Sequence, residues 1–150
     1  MKVSSAWDEI VDKLNNRNIL GFISLTYENR FLRRKKLISD EGIEFLVNLS
    51  ETKSLNNNQA FKFENEDIIV IKLKKENLLQ IKSDNLINLV WHIGNRHIPC
   101  QIEKNRILIQ NDDVIKEMIL KLEGKITNVF EPFNPSGGAY GIGRTHSHKH

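Results

Sequence analysis

His146, His148 and His150 alternate with single residues at the end of a 150-residue chain. This spacing lets a mobile segment swing two or three imidazoles onto one ion. Imidazole nitrogen is a borderline donor suited to nickel, copper, zinc and iron, whereas magnesium and calcium prefer oxygen. The end of the chain therefore reads as a transition-metal arm, although a purification tag or an incidental polar terminus would leave a similar trace. His97 is the second candidate. It follows Gly94-Asn95 and precedes Ile98-Pro99, where the chain should leave a helix, exposed and able to bind; an ordinary surface histidine fits the same description. His92, beside Trp91 and Ile93, reads as a partly buried packing residue. Cys100 reads as a small core residue, and Asp112 and Asp113 as helix-start charges. Because free imidazole titrates near about pH 6.5, histidine ligation predicts metal binding that weakens below about pH 6.

Other chemistries lack their signatures. The chain has no glycine-rich phosphate loop, no His-Glu-x-x-His and no Gly-x-Ser-x-Gly elbow, so no enzyme activity is expected. A net charge of +3 invites a nucleic-acid reading, but the excess is spread over both halves, with no basic half. One basic cluster stands out, Arg30 followed by Arg33, Arg34, Lys35 and Lys36. It reads as a solvated edge strand, where cations deter strand-to-strand aggregation, or else as a docking surface for an acidic partner. An RNA-recognition module would need aromatic residues on its central strands. The candidate strands Ile98 to Glu103 and Arg106 to Gln110 carry none, which argues against nucleic acid.

The elements that must position these residues are clearest in the second half. Glu76 to Lys82 reads as a strand. Ser83 or Asp84 then caps a helix whose apolar positions Leu86, Leu89, Val90 and Ile93 follow i, i+3, i+4, i+7 spacing, and Gly94-Asn95 is expected to stop it. A hairpin follows, with Lys104-Asn105 between its strands. A second helix starts at Asn111-Asp112-Asp113, faces Val114, Ile115, Met118, Ile119 and Leu122 inward, carries a Glu117–Lys121 pair outside, and ends at Gly124. A last strand runs from about Lys125 to Glu131. Strand, helix, strand, strand, helix, strand is the ferredoxin-like βαββαβ order.

The first half reads as a small antiparallel β domain with strands Ile19 to Tyr27, Phe31 to Ile38, Ile43 to Leu49, Ala60 to Phe63 and Ile68 to Leu73. Trp7 to Leu14 fits either a short helix or an opening strand. The fold class is therefore α+β. Residues 1–74 form a β-rich domain, 75–133 a ferredoxin-like domain, and 134–150 a flexible tail with too little apolar surface to offset the entropy of ordering it. Composition agrees, with 39% hydrophobic and 27% charged residues, the balance of a soluble folding chain. No apolar run approaches the roughly 18 residues of a membrane helix and no signal peptide is visible, so a cytoplasmic location without membrane association is expected. One cysteine permits no intrachain disulfide.

The stretch Trp91-His92-Ile93-Gly94-Asn95-Arg96-His97-Ile98-Pro99 resembles the Gly-Asn-Arg-His signature of the urease accessory proteins that act as nickel metallochaperones. Pro132-Phe133 with Gly138-Ala139-Tyr140-Gly141 and a histidine-bearing tail is similar to that family's C-terminal pattern. The resemblance spans essentially the whole chain, including Arg33-Arg34 before Asp40-Glu41-Gly42. It implies a peptide-binding-like N-terminal domain, a ferredoxin-like metal-binding domain, and a homodimer formed through the latter. It further implies a nickel site at the dimer interface to which each subunit brings the residue matching His97, with His146, His148 and His150 supplementing it. The implied cargo is Ni(II), for which zinc or copper substitutes. The implied partners are the urease GTPase accessory protein and the urease apoprotein complex. Two departures are visible. Asn111 and Asp113 stand where some members carry additional metal-binding histidines, and three tail histidines favour delivery over storage. A general zinc or copper buffer is the competing reading.

Overall fold

The computed structural model describes residues 17–136 and, for backbone only, Lys2–Ser4 and Ile10–Val11. The chain divides into two compact units, Met1–Lys74 and Lys75–His150. Among the described residues no helix is long and apolar enough to cross a membrane. Helices and sheets occur together, the α+β class expected.

The first unit contains β1 (Lys2–Ser4), β2 (Ile10–Val11), β3 (Ile19–Leu25), β4 (Phe31–Ile38), β5 (Glu44–Ser54), β6 (Ala60–Lys62) and β7 (Ile68–Leu73), with a 3-10 turn at Glu28–Arg30. They form two sheets, β1-β5-β4 and β2-β6-β7-β3. Alternation along β5 sends Phe45, Val47 and Leu49 into a core shared with Ile23, Leu25, Leu37, Phe61, Phe63, Ile69 and Ile71. There Phe45 lies 5.4 Å from Phe61 and meets Phe63 edge-on at 5.6 Å. β7 is apolar on both faces, because Ile68 and Val70 join a second buried cluster with Ala60. This is the continuous pattern of an interior strand.

The free edge of β3 is closed by side chains. Both Glu41 carboxylate oxygens accept from Phe22 N at 3.0 and 3.1 Å, and Asp40 accepts from Ser24 N and Ser24 Oγ. Gly21 leaves room for this contact, since a Cβ there would displace the Glu41 carboxylate.

The antiparallel expectation for this unit needs correction. β4–β5, β2–β6 and β6–β7 are antiparallel, but β1–β5 and β3–β7 are parallel. Parallel partners are joined by long connections and leave no hairpin signal in the sequence. Between β3 and β7 the connection includes all of β4, β5 and β6. Of the Trp7 to Leu14 segment, Ile10–Val11 is strand; the remainder lies outside the described residues.

The second unit is β8 (Lys75–Lys82), α1 (Leu86–Asn95), β9 (Cys100–Ile102), β10 (Ile107–Gln110), α2 (Asp113–Lys121) and β11 (Lys125–Pro132). Its sheet order is β11-β8-β10-β9 with every pair antiparallel, the ferredoxin-like arrangement anticipated from element order. Leu79, Ile81, Ile107, Ile109 and Cys100 on one sheet face meet Leu89 and Ile93 of α1 and Ile115 and Ile119 of α2. Asp112 caps α2, accepting from Ile115 N at 3.0 Å, and the Glu117–Lys121 pair forms at 3.7 Å. α1 lacks the expected cap: its N-cap is Asn85 without a side-chain bond, while Ser83 Oγ accepts from Asn85 N. Val114, expected inside, is 65% exposed, because its position falls beside the inward stripe set by Ile115 and Ile119.

Both helices end in the same way. Ile98 N reaches Ile93 O and His97 N reaches Gly94 O; Gly124 N reaches Ile119 O and Glu123 N reaches Leu120 O. These paired bonds are Schellman closures. Their left-handed residues are His97 (φ 59) and Glu123 (φ 64), not the glycines. Gly94 and Asn95, expected as the stop, belong to the last turn of α1. Gly124 is needed for space, since a Cβ there would stand 2.5 Å from Ile119 Cγ2 and 3.2 Å from Leu89 Cδ1.

Candidate metal-binding site

His97 shares with Glu123 an exposed, left-handed position at a helix end, and of the two it is the one that carries an imidazole. A β-carbon in the left-handed region is disfavoured by about 1 kcal/mol or more relative to glycine. His97 holds that conformation at an exposed helix terminus, because Ile98 packs back onto the core beside Ile93 and draws the chain through the turn. The imidazole is therefore carried on a backbone fixed by two hydrogen bonds and a hydrophobic anchor. Non-glycine residues in strained conformations cluster at functional sites.

The neighbouring candidates separate from it. Cys100 is buried in the core, and desolvation pushes its thiol pKa up, so the ligating thiolate form is disfavoured. This agrees with its reading as a core residue. The His92 ring sits edge-on to Trp91 at 5.0 Å, half-buried, as a packing residue would be. Asp112 is engaged as a helix cap. Among the described residues no three His, Cys, Asp or Glu side chains converge in a way that could hold an ion. His146, His148 and His150 lie outside the described residues, as does the Gly138-Ala139-Tyr140-Gly141 pattern.

The structure does show where the root of that C-terminal segment is held. β11 and β9 are opposite edges of the sheet. After β11, Asn134 N donates to Gln101 Oε1 at 2.9 Å and Ser136 N donates to Cys100 O at 2.9 Å. Residues 133–136 thus cross the sheet from one edge to the other. They cross on the face away from the helices, to which Gln101 points, with the Phe133 ring fully buried. Ser136 comes to rest against the strand that begins three residues after His97.

A polar network on the same face supports the crossing. Arg106 donates to both Glu131 carboxylate oxygens at 2.7 and 2.8 Å, to Glu103 at 3.1 Å and to Gln80 at 3.0 Å. Gln101 Nε2 donates to Glu103 at 2.8 Å, so the network leads to the residue that accepts from Asn134. The hydrogen bond from Arg106 is the main cause that holds the Glu131 carboxyl below the usual range. Sequence reading missed this group entirely. Its members come from three strands, β8, β9 and β11, and from the loop between β9 and β10, and only the closing hairpin bond, Glu103 N to Arg106 O at 3.0 Å, was signalled by spacing.

Residues 66–150 match the family described as UreE urease accessory protein, C-terminal domain. The chain is 49% identical over 128 residues to the urease accessory protein UreE of Ruegeria pomeroyi, covering 85% of this chain and 86% of that protein. It is 46% identical over 128 residues to the protein of the same name from Rhodobacter capsulatus, covering 85% and 81%. For that of Ruegeria sp. strain TM1040 the identity is 48% over 124 residues, covering 83% and 70%.

Proposed function

Because the chain belongs to the UreE urease accessory protein family, we propose that it is a nickel metallochaperone that serves urease maturation, binding Ni(II) as cargo through His97 and passing it on. The single observation that carries this reading is the exposed imidazole of His97, held on a left-handed backbone at the end of α1. In one chain His97 is a single donor. A two-fold axis that brings two copies together supplies a pair of imidazoles. Ile87 and Trp91, four residues apart on α1, are 86% and 63% exposed, an apolar stripe on the helix that leads to His97, suited to pairing with its own copy.

The remaining donors are His146, His148 and His150. Ser136 is fixed against Cys100, and His146 is ten residues further on, a reach of at most about 36 Å in extended chain. On this proposal that length of chain brings tail histidines to the ion held by His97. Imidazole donors suit Ni(II), and a site made of separate donors from two subunits opens by losing one donor at a time. That suits a carrier which must release its ion to the urease assembly machinery, including its GTPase accessory protein. The domain assignment adopted for this reading is 1–74, 75–133 and 134–150.

Calorimetric titration of the full-length protein with nickel tests the assignment. His97→Ala is expected to abolish the tightest binding, whereas removal of His146, His148 and His150 weakens it while leaving a His97-dependent ion. Undiminished affinity in His97→Ala would overturn the site.

A further inference from the structure

Among the described residues β4 is the end strand of its sheet, hydrogen-bonded to β5 alone, and it carries four consecutive exposed cations, Arg33, Arg34, Lys35 and Lys36. Among the described residues none of the four forms an ion pair with a carboxylate. The residues opposite Arg34, Lys35 and Lys36 on β5 are Asn48, Val47 and Leu46, so no directly opposed position is charged; the carboxylate nearest in register is Glu44, opposite Ile38. Arg30, grouped with them in the sequence, is not part of the patch. It is buried, donates from Nη1 to Leu25 O at 3.2 Å, and lies over the Tyr27 ring.

Beyond the irregularity between Leu32 and Arg34, pairing with β5 is regular to Ile38. Arg34, Lys36 and Ile38 therefore share one face of the strand, and Leu37 turns to the core on the other. Ile38 is 57% exposed. An end strand also presents every second N–H and C=O outward, unpaired by its neighbour. The surface thus combines a backbone ladder with two cations and then an apolar position at intervals of two residues.

We propose that β4 receives an extended acidic segment of a partner protein as an added strand. The segment would place carboxylates at two alternating positions beside Arg34 and Lys36 and an apolar residue beside Ile38. Strand addition draws affinity from main-chain hydrogen bonds and specificity from alternate side chains, and directly opposed unlike charges favour one register. A peptide fits better than a nucleic acid, because no aromatic ring stands among the four cations for a base to stack on and a phosphate backbone cannot continue the ladder. This surface is independent of the metal reading.

The test uses the full-length protein and a labelled synthetic octapeptide with alternating glutamates and one leucine. Its comparators are the same peptide N-methylated at alternate backbone nitrogens and a single-stranded oligonucleotide of equal charge. Saturable binding of the first is expected, weakened about three- to tenfold by Arg34→Gln with Lys36→Gln, the scale of one or two surface cross-strand ion pairs. It should also be weakened by N-methylation and left intact by Lys121→Gln on α2. Equal binding of the N-methylated peptide or the oligonucleotide would overturn strand addition in favour of plain charge attraction. Failure of the unmodified peptide to bind, with aggregation of the doubly neutralised variant, would show that the cations serve only to keep the edge solvated.

Discussion

At the level of single residues, His97 separates two effects that usually fall together. Its side chain is proposed to bind, while its backbone occupies a conformation that glycine adopts without strain. His97→Gly should therefore abolish the tight nickel site yet leave folding unharmed, with stability unchanged or raised by up to about 1 kcal/mol relative to His97→Ala. Thermal melts of the metal-free proteins, run beside nickel titrations, check this. A His97→Gly protein that melts well below His97→Ala would mean that the imidazole itself holds the turn together. The same position shows how far a sequence can be read. The Gly94-Asn95 pair marked the end of a helix correctly to within a turn. It named the wrong left-handed residue, because the register of the Schellman closure is set by where Ile98 finds the core beside Ile93, a tertiary fact. Gly124 was misread for the complementary reason: it looks like a conformational stop and is in fact a space requirement against Ile119 and Leu89.

At the level of elements, the second unit was legible because its signals are local. Helical periodicity places Leu89, Ile93, Ile115 and Ile119, strand alternation places Leu79, Ile81, Ile107 and Ile109, and βαββαβ connectivity restricts the sheet to few orders. The parallel pairs of the first unit, and the crossing of residues 133–136 under the sheet, depend on partners remote in sequence and left no such mark. The Arg106 network that accompanies the crossing has a consequence for acid stability. Hydrogen bonding to Arg106 is the main cause lowering the Glu131 pKa in the folded protein, so the unfolded chain takes up that proton first. The contribution of Glu131 is present above the ordinary glutamate pKa of about 4.3 and is lost as pH falls through the lower folded value. Denaturant titrations from about pH 6 down to pH 3 should show stability falling less steeply in Glu131→Gln than in the unaltered protein. Glu131→Gln should also be the less stable of the two at neutral pH, since its neutral amide cannot make the same charge-assisted fork with Arg106. Parallel acid limbs for the two proteins would remove Glu131 from the account.

At the level of the whole molecule, a unit of the size of Lys75–His150 buries a modest fraction of its surface and gains from association. The face left unsatisfied is specific. Ile87 and Trp91 project from α1 on the element that ends in His97, so a self-complementary contact along this helix would bury the stripe and approximate two imidazoles in one step. Under this reading, association and metal capture are thermodynamically linked, and each ion bound between subunits stabilises the dimer in proportion to ligand excess over its dissociation constant. Ile87→Asp with Trp91→Asp should shift sedimentation to the monomer while retaining the circular dichroism of the folded chain, and should abolish the His97-dependent nickel site although His97 is untouched. Nickel added to the unaltered protein at concentrations near its dimer dissociation constant should raise the dimer fraction, and His97→Ala should suppress that rise. A doubly substituted protein that remains dimeric would place the interface elsewhere. One that becomes monomeric yet keeps full nickel affinity would show that a single chain assembles the site, with donors drawn from its own tail.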